Sequence, residues 1–428
     1  MPSSTFLALA IFGITYALLS QRRVPHFNVD RPTIALAGAV AMVAAGVLPL
    51  NEAYAAINFD TLALLLGTMI MIAYLREARF FERVAHAILR AARTPRQLLV
   101  LVVFASGILS ALFVNDTICL LFTPILLEAL AAARLPPVPY LVALVTGANV
   151  GSSATLTGNP QNMLIGISSG IPYGSFALVQ GPIALLALAL VAGLLLALHR
   201  KELPRQFAVL PDGVRRVNGA VVKRVLAILA LVLAGFLLPL GRVFPGLGPG
   251  QQLPFVALAG AVVTILAGRY RPARAMARVD FGLLVFFCGL FVVVHGLATT
   301  PLLADLQRAV APRLGTSTAA KAASFSLFTL IGSNLVSNVP FVLVARGWIA
   351  SFPDPTLFWH VLATAATFAG NLTIVGSVAN VIVIEQARDV APIGFLTYFK
   401  SGLPVTLATT AFAVVALLAV ARFTSLLG

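Results

Sequence analysis

Residues 147–162 read GANVGSSATLTGNPQN, and this polar run interrupts an otherwise apolar stretch from 137 to 168. Unsatisfied backbone groups in hydrocarbon cost several kcal/mol each, so an unwound polar segment persists there only where it faces protein, water or a ligand. Glycine lets the chain unwind and approach a ligand closely. The run therefore predicts an interrupted membrane helix whose break lines a binding site.

A second run of this kind, GNLTIVGSVAN at 370–380, interrupts the apolar stretch 357–386. In the first run Pro160 can open a second half-helix, whose free N–H groups and positive dipole end attract an anion. The alternative is that these Gly, Ser and Thr residues are small packing residues at helix crossings. Two such runs at corresponding places favour binding.

Two more apolar stretches, 98–133 and 322–349, are broken by NDT at 115–117 and by SNVP at 337–340. Each half has about 15 to 17 residues, fewer than the roughly 20 that a spanning helix needs. We therefore expect two re-entrant hairpins whose polar tips stop inside the bilayer.

Segments of the first half of the sequence, among them a hairpin tip and a break, recur in the second half in the same order and at nearly the same offset in residue number. Residues 58–62 match 280–284 at an offset of 222, the tip 112–115 matches 335–338 at 223, and 157–162 matches 375–380 at 218. The pattern predicts one membrane transport domain over 1–428, with repeat 1 at about 33–199, a linker and extra helix at 200–252, and repeat 2 at about 253–422. Five predicted spans separate the equivalent starts, so the repeats are inverted. Such repeats with broken helices indicate a secondary transporter with a midplane site; a channel could share the symmetry, but two dead-end hairpins fit alternating access better.

The composition of the 428 residues, 60% hydrophobic and 10% charged, excludes a soluble chain, since soluble domains have roughly a quarter charged residues. We predict an all-α polytopic membrane protein of about ten transmembrane helices plus the two hairpins. The spans are expected near 5–20, 33–50, 57–75, 137–168 (interrupted), 175–199, 225–241, 253–268, 280–298, 357–386 (interrupted) and 401–422.

The net charge of +15 is a topology signal rather than a nucleic-acid footprint, because the basic residues lie in short loops between apolar segments. Arg22 and Arg23, rather than a cleavage site, follow the first apolar stretch, which indicates a retained helix. With the N-terminus outside, most Lys and Arg residues, including the loop 200–224, face the cytoplasm of a bacterial-type inner membrane, and both termini lie outside. Residues 76–96 are amphipathic and are expected along the inner interface; a solvated loop is the alternative.

Other function classes lack their residues. Cys119 and Cys288 lie in apolar runs without CxxC spacing, which favours packing over a disulfide or a thiolate metal site. The sequence has no phosphate-loop motif, so ATP is not expected to be the energy source within this chain. The five histidines are scattered, with no HExxH or paired-carboxylate motif. An enzyme, a resident metal and a cofactor are therefore not expected.

Asp116 is the one acidic residue at a predicted hairpin tip. An ionisable group at membrane depth is a functional candidate, here as a proton carrier or cation ligand. The alternative is an N-cap of the second hairpin arm. Its repeat partner is Val339, so the two half-sites differ chemically.

Six motifs carry a family resemblance: FVNDTIC at 113–119 with Thr123-Pro124, ANVGSSAT at 148–155, GNPQN at 158–162, SNVP at 337–340, AGNLT at 369–373 and GSVAN at 376–380. They resemble the arsenite permease and sodium/proton antiporter group of the ion transporter superfamily. Within that group they are most similar to the branch of silicon efflux transporters and their bacterial relatives. The resemblance covers about residues 30–422.

The resemblance implies a carrier coupled to protons or sodium, often dimeric, in which the hairpins and broken helices move as an elevator against a scaffold. The expected partners are membrane lipid, a small-molecule substrate and a second copy of the chain in a homodimer. Nucleic acid is not an expected partner. Together with the motifs it predicts a substrate and coupling-ion site, with a sodium site at the tips and breaks, at Asn115, Asp116, Thr117, Asn149, Ser152, Ser153, Thr155, Thr157, Gly158, Asn159, Asn162, Ser337, Asn338, Pro340, Asn371, Thr373, Gly376, Ser377 and Asn380.

The predicted substrate is a small oxyanion or weak inorganic acid, such as arsenite, antimonite or silicic acid. The arsenite permeases that this sequence resembles carry acidic residues and a lysine around the second break, whereas this sequence has the neutral Asn371-Leu372-Thr373. This difference weakens the prediction of arsenite in particular as the substrate. A di- or tricarboxylate or other organic anion carrier is an alternative. A sodium/proton antiporter is a further one, disfavoured by the single deep acid.

Overall fold

The computed structural model describes residues 3–20, 30–207, 219–240, 243–248 and 250–423, and the regular structure in these ranges is helical. Both chain ends and Arg22, Arg23, Arg215 and Arg216 lie outside the described residues, so the predicted positions of the termini and of part of the 200–224 loop lie outside them too.

The first half of the chain contains ten helices: α1 (Ser3–Ser20), α2 (Arg31–Ala44), α3 (Leu50–Ala56), α4 (Phe59–Glu77), α5 (Phe80–Ala91), α6 (Pro95–Leu112), α7 (Asn115–Ala132), α8 (Pro137–Ser152), α9 (Pro160–Ser169) and α10 (Tyr173–Leu198). Helix α11 (Gly219–Leu237) follows. The second half contains α12 (Gln252–Ala267), α13 (Pro272–Met276), α14 (Phe281–Ala298), α15 (Leu302–Val310), α16 (Thr318–Val336), α17 (Asn338–Ala345), α18 (Pro355–Ala369), α19 (Val378–Ala387) and α20 (Phe395–Phe423), with 3-10 turns at Ala311–Leu314, Arg346–Ser351 and Ile374–Gly376.

Eight of the described helices are long and apolar enough to cross a membrane: α4, α6, α7, α10, α11, α14, α16 and α20. Shorter apolar helices include α2 and α12. Each predicted span coincides with a helix, or with a pair of helices where the span is interrupted, to within six residues. The predicted amphipathic segment forms α5, which buries Phe81, Ala85 and Leu89 and exposes Arg83 and Arg90.

The same order of elements occurs twice, from α2 to α10 and from α12 to α20. The first elements pack reciprocally, α2 against α14 and α4 against α12. A glycine permits each close crossing: a Cβ on Gly67 would lie 2.6 Å from the Ala257 carbonyl carbon, and one on Gly289 would lie 2.5 Å from that of Ala35. Both residues of one crossing are related to those of the other by the offset of 222. We call α2, α4, α12 and α14 the scaffold helices.

The start of α4 and the start of α14 are built alike. Asn58 caps α4 by accepting a hydrogen bond from the Thr61 N–H at 2.8 Å, and Asp280 caps α14 by accepting one from the Leu283 N–H at 3.0 Å. An oxygen at the N-cap satisfies an otherwise free N–H group of the first turn. The matching motifs therefore mark matching helix starts.

Where the sequence predicts hairpins, the chain forms helix pairs with sharp breaks, at Phe113–Val114 between α6 and α7 and at Ser337 between α16 and α17. We keep the name hairpin for these two pairs. Their arms differ from the predicted 15 to 17 residues: α6 and α7 have 18 each, α16 has 19 and α17 has 8. The first hairpin is longer because α6 begins at Pro95, where Thr94 accepts a hydrogen bond from the Gln97 N–H. The short α17 instead continues into the 3-10 turn at Arg346–Ser351.

The two interrupted helices form the centre of the molecule. Every residue from Pro139 to Ser152 in α8 is buried, as is every residue from His360 to Ala369 in α18. Each hairpin packs on the broken helix of its own half through its first arm, α6 on α8 and α16 on α18. The second arms cross over, α7 to α19 and α17 to α9. This arrangement brings both breaks and both tips together.

Candidate substrate site

Asn149, near the end of α8, joins three of the four polar segments. Its Nδ2 donates to Asn371 Oδ1 at 2.9 Å and to Asn380 Oδ1 at 3.0 Å, both in the second break. Its Oδ1 accepts from Asn115 Nδ2 at the first tip (3.0 Å) and from Ser377 Oγ (3.2 Å). All five residues are buried. We call them the amide cluster.

Each break is closed by an asparagine in the first turn of its second half-helix. These side-chain amides donate to two carbonyl oxygens of the preceding loop: Asn162 to Thr155 (2.9 Å) and Ser152 (3.4 Å), and Asn380 to Thr373 (2.9 Å) and Gly370 (2.6 Å). The donors and the acceptors are all related by the offset of 218. Backbone carbonyls that the broken helix leaves free are thereby satisfied without water.

A second set of hydrogen bonds joins the two halves of the chain at Thr367. The sequence did not predict this residue as part of the site. Asn159 Nδ2 donates to Ser152 Oγ (2.9 Å) and to Thr367 Oγ1 (3.3 Å), and Gln161 Nε2 also donates to Thr367 Oγ1 (3.3 Å). Thr367 mirrors Asn149 at the offset of 218, as Ser377 mirrors Asn159. Extending that offset backwards from the second run would have identified it.

The hairpin tips are hydrogen-bonded to the breaks. The Asn115 N–H donates to the Gly158 carbonyl at 3.0 Å. At the other tip the amide nitrogen of Asn338, oriented towards two carbonyl oxygens, donates to Gly376 at 3.2 Å and to Ala366 at 3.1 Å. Gly376 and Gly158 are equivalent by the offset of 218, so the tips dock alike.

A further pair of contacts ties the first arms to the breaks. Thr155 Oγ1 donates to the Ala111 carbonyl at 2.6 Å, and Thr373 Oγ1 donates to Asn334 Oδ1 at 2.9 Å. Asn334 is the second residue that the sequence analysis missed. It also donates to the Ala369 carbonyl at 2.9 Å, so the arm is held to the break from both sides.

A cavity lies between the two tips and the two breaks, and we call it the tip cavity. It is lined by the first residues of α7, α9, α17 and α19, among them Asn115, Pro160, Asn338 and Val378, and closed by Phe286 and neighbouring apolar residues of α14. Four helix N-termini therefore face one space. The dipoles of these helix ends favour an anion in this space.

Asp116 lines the tip cavity and also a second cavity, which extends to Arg76, Arg278 and Asp280. It is not the cap of its own helix, because Val114 is the N-cap of α7 and makes no side-chain capping bond. The Asp116 carboxylate instead interacts with the backbone N–H of Ala379 at the start of α19. Asp116 therefore does not cap α7, and its carboxylate lies at the first turn of α19 instead.

Three buried polar atoms around this space have no hydrogen-bond partner among the described residues: Asn115 Oδ1, Asn162 Oδ1 and Asn371 Nδ2. A buried polar group left unpaired costs about 1–3 kcal/mol. Of these residues Asn115 lines the tip cavity, so a ligand that donates a hydrogen bond to its Oδ1 would recover part of that cost.

The remaining predicted residues divide between the cavities and the loops. Pro340 and Ser337 line the tip cavity, and Thr117 lines the second cavity beside Asp116. Ser153 and Thr157 do not reach them, because Ser153 Oγ donates to its own helix at the Val150 carbonyl and Thr157 Oγ1 lies 3.3 Å from the Tyr173 hydroxyl.

Ser337 is strained, with φ 69° and ψ 160°. This backbone region is nearly exclusive to glycine and costs about 1–3 kcal/mol for other residues. Strain of this kind clusters at ligand clamps and switch regions.

Comparisons with known proteins find relatives that are transporters. The family model described as CitMHS, citrate transporter, matches residues 8–369. The chain is 30% identical to the silicon efflux transporter LSI3 of Oryza sativa subsp. japonica, covering 94% of this chain and 95% of the relative. It is 31% identical to an uncharacterized transporter of Mycobacterium tuberculosis, with 94% and 95% covered, and 26% identical to a putative transporter arsB of Dictyostelium discoideum, with 89% and 86% covered.

Among solved structures, the fold is similar to that of the YdaH transporter of Alcanivorax borkumensis. The TM-score is 0.58 at 17% identity, and each chain is covered over 100% of its length. This likeness concerns the fold alone. Together with the sequence relatives, it confirms the family resemblance drawn from the tip and break motifs. The chain belongs to the CitMHS citrate transporter family, and it is a multi-pass membrane protein that works as a secondary anion permease and not as an enzyme.

Proposed function

We propose that this permease carries a small oxyanion or weak inorganic acid, such as arsenite, antimonite or silicic acid, and that the substrate binds in the tip cavity. The observation that carries this proposal is the convergence of four helix N-termini on a space that is lined by Asn115 and Ser377 of the amide cluster. Amides and free N–H groups suit a compact ligand that has several oxygen atoms. The relatives named as a silicon efflux transporter and as arsB support this substrate class.

The substrate is moved by an elevator mechanism within an inverted repeat. The hairpins and broken helices are joined to one another by the hydrogen bonds of the amide cluster and of the tips. The scaffold helices are held together through the crossings at Gly67 and Gly289. The hairpins and broken helices thus form one group of contacting helices, and the scaffold helices form another. Two such groups support the motion of one against the other, as in carriers built from inverted repeats.

Transport is coupled to a proton or sodium gradient at Asp116. Its carboxylate lies beside the tip cavity, next to the unpaired Asn115 Oδ1. A carboxylate and a free amide oxygen are acceptors that suit a proton or a hard cation. In the orientation that the basic loops favour, both termini lie outside a bacterial-type inner membrane, and the protein functions as a homodimer.

A carboxylate carrier is the second candidate function, because the matching family model is described as a citrate transporter. The same cavity would receive a carboxylate through the same N–H groups. The residues at the second break, Asn371-Leu372-Thr373, are compatible with either class.

Uptake by proteoliposomes tests the proposal. Purified protein is reconstituted and given arsenite, antimonite, silicic acid or citrate, with an imposed proton or sodium gradient and protein-free vesicles as control. We expect gradient-dependent accumulation of at least one inorganic acid. Transport of citrate alone would select the second candidate, and transport of none of the four would overturn both.

A further inference from the structure

A third cavity adjoins the tip cavity on the scaffold side. It shares Ser337, Pro340, Phe286 and Leu290 with the tip cavity, and it is also lined by Tyr16 of α1 and by Arg31 at the start of α2. We call it the Arg31 cavity. A ligand at the second hairpin tip can therefore face both spaces.

Arg31 is half-buried and makes no ion pair within 4 Å among the described residues. It interacts electrostatically with Asp116 across the space between α2 and α7. A partly desolvated guanidinium presents several N–H donors in a planar fork, which matches a carboxylate or another oxyanion in two parallel hydrogen bonds. Its positive charge is thus available to a negatively charged ligand.

The other charged groups around Asp116 are engaged elsewhere or line a different cavity, so Arg31 is the one that can bind an anion in this cavity among the described residues. Arg278 is bound to Glu77 at 2.9 Å, and Glu77 also binds Arg274 at 2.9 Å. Asp280 is engaged as the N-cap of α14. Arg76 lines the second cavity with Asp116 rather than the Arg31 cavity.

Tyr16 supplies an independent observation. Its hydroxyl is buried and has no hydrogen-bond partner among the described residues, although its side chain lines the Arg31 cavity. Its ring is fixed against Phe12, with centroids 4.4 Å apart. Buried polar groups are normally paired, so an unpaired phenol beside a guanidinium points to a ligand that accepts hydrogen bonds.

We propose that Arg31 and Tyr16 form an anion-recognition subsite on the scaffold, which binds a negatively charged oxygen of the substrate next to the second hairpin tip. The inference rests on the proposed function and narrows its substrate class to an ionised oxyanion or a carboxylate. Arsenous, antimonous and silicic acid, which are uncharged at neutral pH, would then bind this subsite only in their ionised forms. Arg31 lies on the scaffold helix α2, and Tyr16 lies on α1, which packs against the scaffold helices α2 and α14. The subsite therefore stays with the scaffold when the hairpins move. The subsite therefore selects charged substrates only in the state of the transport cycle in which the second hairpin tip lies next to it.

The test compares ligand-induced thermal stabilisation of Arg31→Gln, Tyr16→Phe and wild-type protein. The probes are sulfate, phosphate and citrate, which are charged at neutral pH, and arsenous and silicic acid, which are not. We expect Arg31→Gln to raise the half-saturating concentration of a bound charged probe at least tenfold, and Tyr16→Phe to raise it several-fold. Arg31→Lys should recover part of the loss. Arg83→Gln, at an exposed arginine of α5, is the matched control and should change nothing.

The possible results separate the two proposals. If wild-type protein binds only the uncharged acids, or if Arg31→Gln binds charged probes within twofold of wild type, the subsite is wrong while the proposed function stands. Equal loss of both probe classes in a variant that elutes as folded protein would also overturn the subsite. Binding of no probe by wild-type protein would contradict the proposed function itself.

Discussion

Asparagine is suited to a dry site at the junction of several segments, because its side chain donates two hydrogen bonds and accepts two. Asn149 uses both capacities, donating to the second break while accepting from the first tip and from Ser377. Asn162 and Asn380 use their donors to close the two breaks. Hydrogen-bonding side chains rather than charged ones therefore form the centre of the molecule.

We expect Asn162→Ala and Asn380→Ala each to reduce transport strongly while folded protein remains in the membrane. Each change leaves two loop carbonyls without their donor, and an unpaired buried group costs about 1–3 kcal/mol. Initial rates in proteoliposomes, normalised to reconstituted protein, measure the effect. Asn51→Ala, at an exposed asparagine of α3, is the control. Wild-type rates in both variants would refute the symmetric site.

Asp116→Asn tests coupling, because it keeps the shape of the side chain but cannot gain or lose a charge. We expect the variant to exchange substrate across vesicles without a gradient, yet to lose accumulation driven by a proton or sodium gradient. Asp116 is half-buried beside helix N-termini, and an ionisable group at membrane depth is a coupling candidate. Counterflow and gradient-driven uptake are measured on the same preparation. Unchanged gradient-driven accumulation would place coupling elsewhere, among the backbone carbonyls of the breaks.

At the scale of the helices, the scaffold depends on two glycine crossings related by the offset of 222. A methyl group on Gly67 or Gly289 would meet the backbone of the facing helix at 2.6 or 2.5 Å. Backbone cannot rotate aside as a flexible side chain can, so the helices must move apart.

We therefore expect Gly67→Ala and Gly289→Ala each to destabilise the protein by about 1–3 kcal/mol, the usual cost of overpacking. Gly193→Ala in α10 is the matched control, because a Cβ there meets nothing within 4 Å. Thermal unfolding in detergent measures all three variants. If Gly67→Ala and Gly289→Ala melt with the control, the crossings are not tight in the membrane.

At the scale of the whole molecule, the distribution of basic residues predicts which side each loop faces. We expect a reporter fused after Gly428 to be active outside the cytoplasm, and one inserted in the 200–224 loop to be active inside. The two fusions control each other, since an inverted repeat requires opposite results. A cytoplasmic C-terminal reporter would change the span count and contradict inversion.

The sequence by itself determined the helices, their breaks and most of the residues at the site. Long apolar runs leave no soluble alternative, and the polar residues that interrupt them can persist only where they are satisfied, so GANVGSSATLTGNPQN and GNLTIVGSVAN had to be the centre. The arm lengths were less well predicted, because α6 begins at a capped proline that hydropathy does not detect.

Only the tertiary structure decided which of these residues meet. Ser152 and Ser153 are neighbours in sequence, and each hydroxyl donates to a carbonyl of its own helix, but only Ser152 also accepts from Asn159 across the break. Thr367 and Asn334 lie just before a predicted polar run, and Tyr16 and Arg31 belong to segments without one. All four reach the site through packing between distant helices. Contacts of that kind depend on how helices cross in space, which local sequence patterns do not encode.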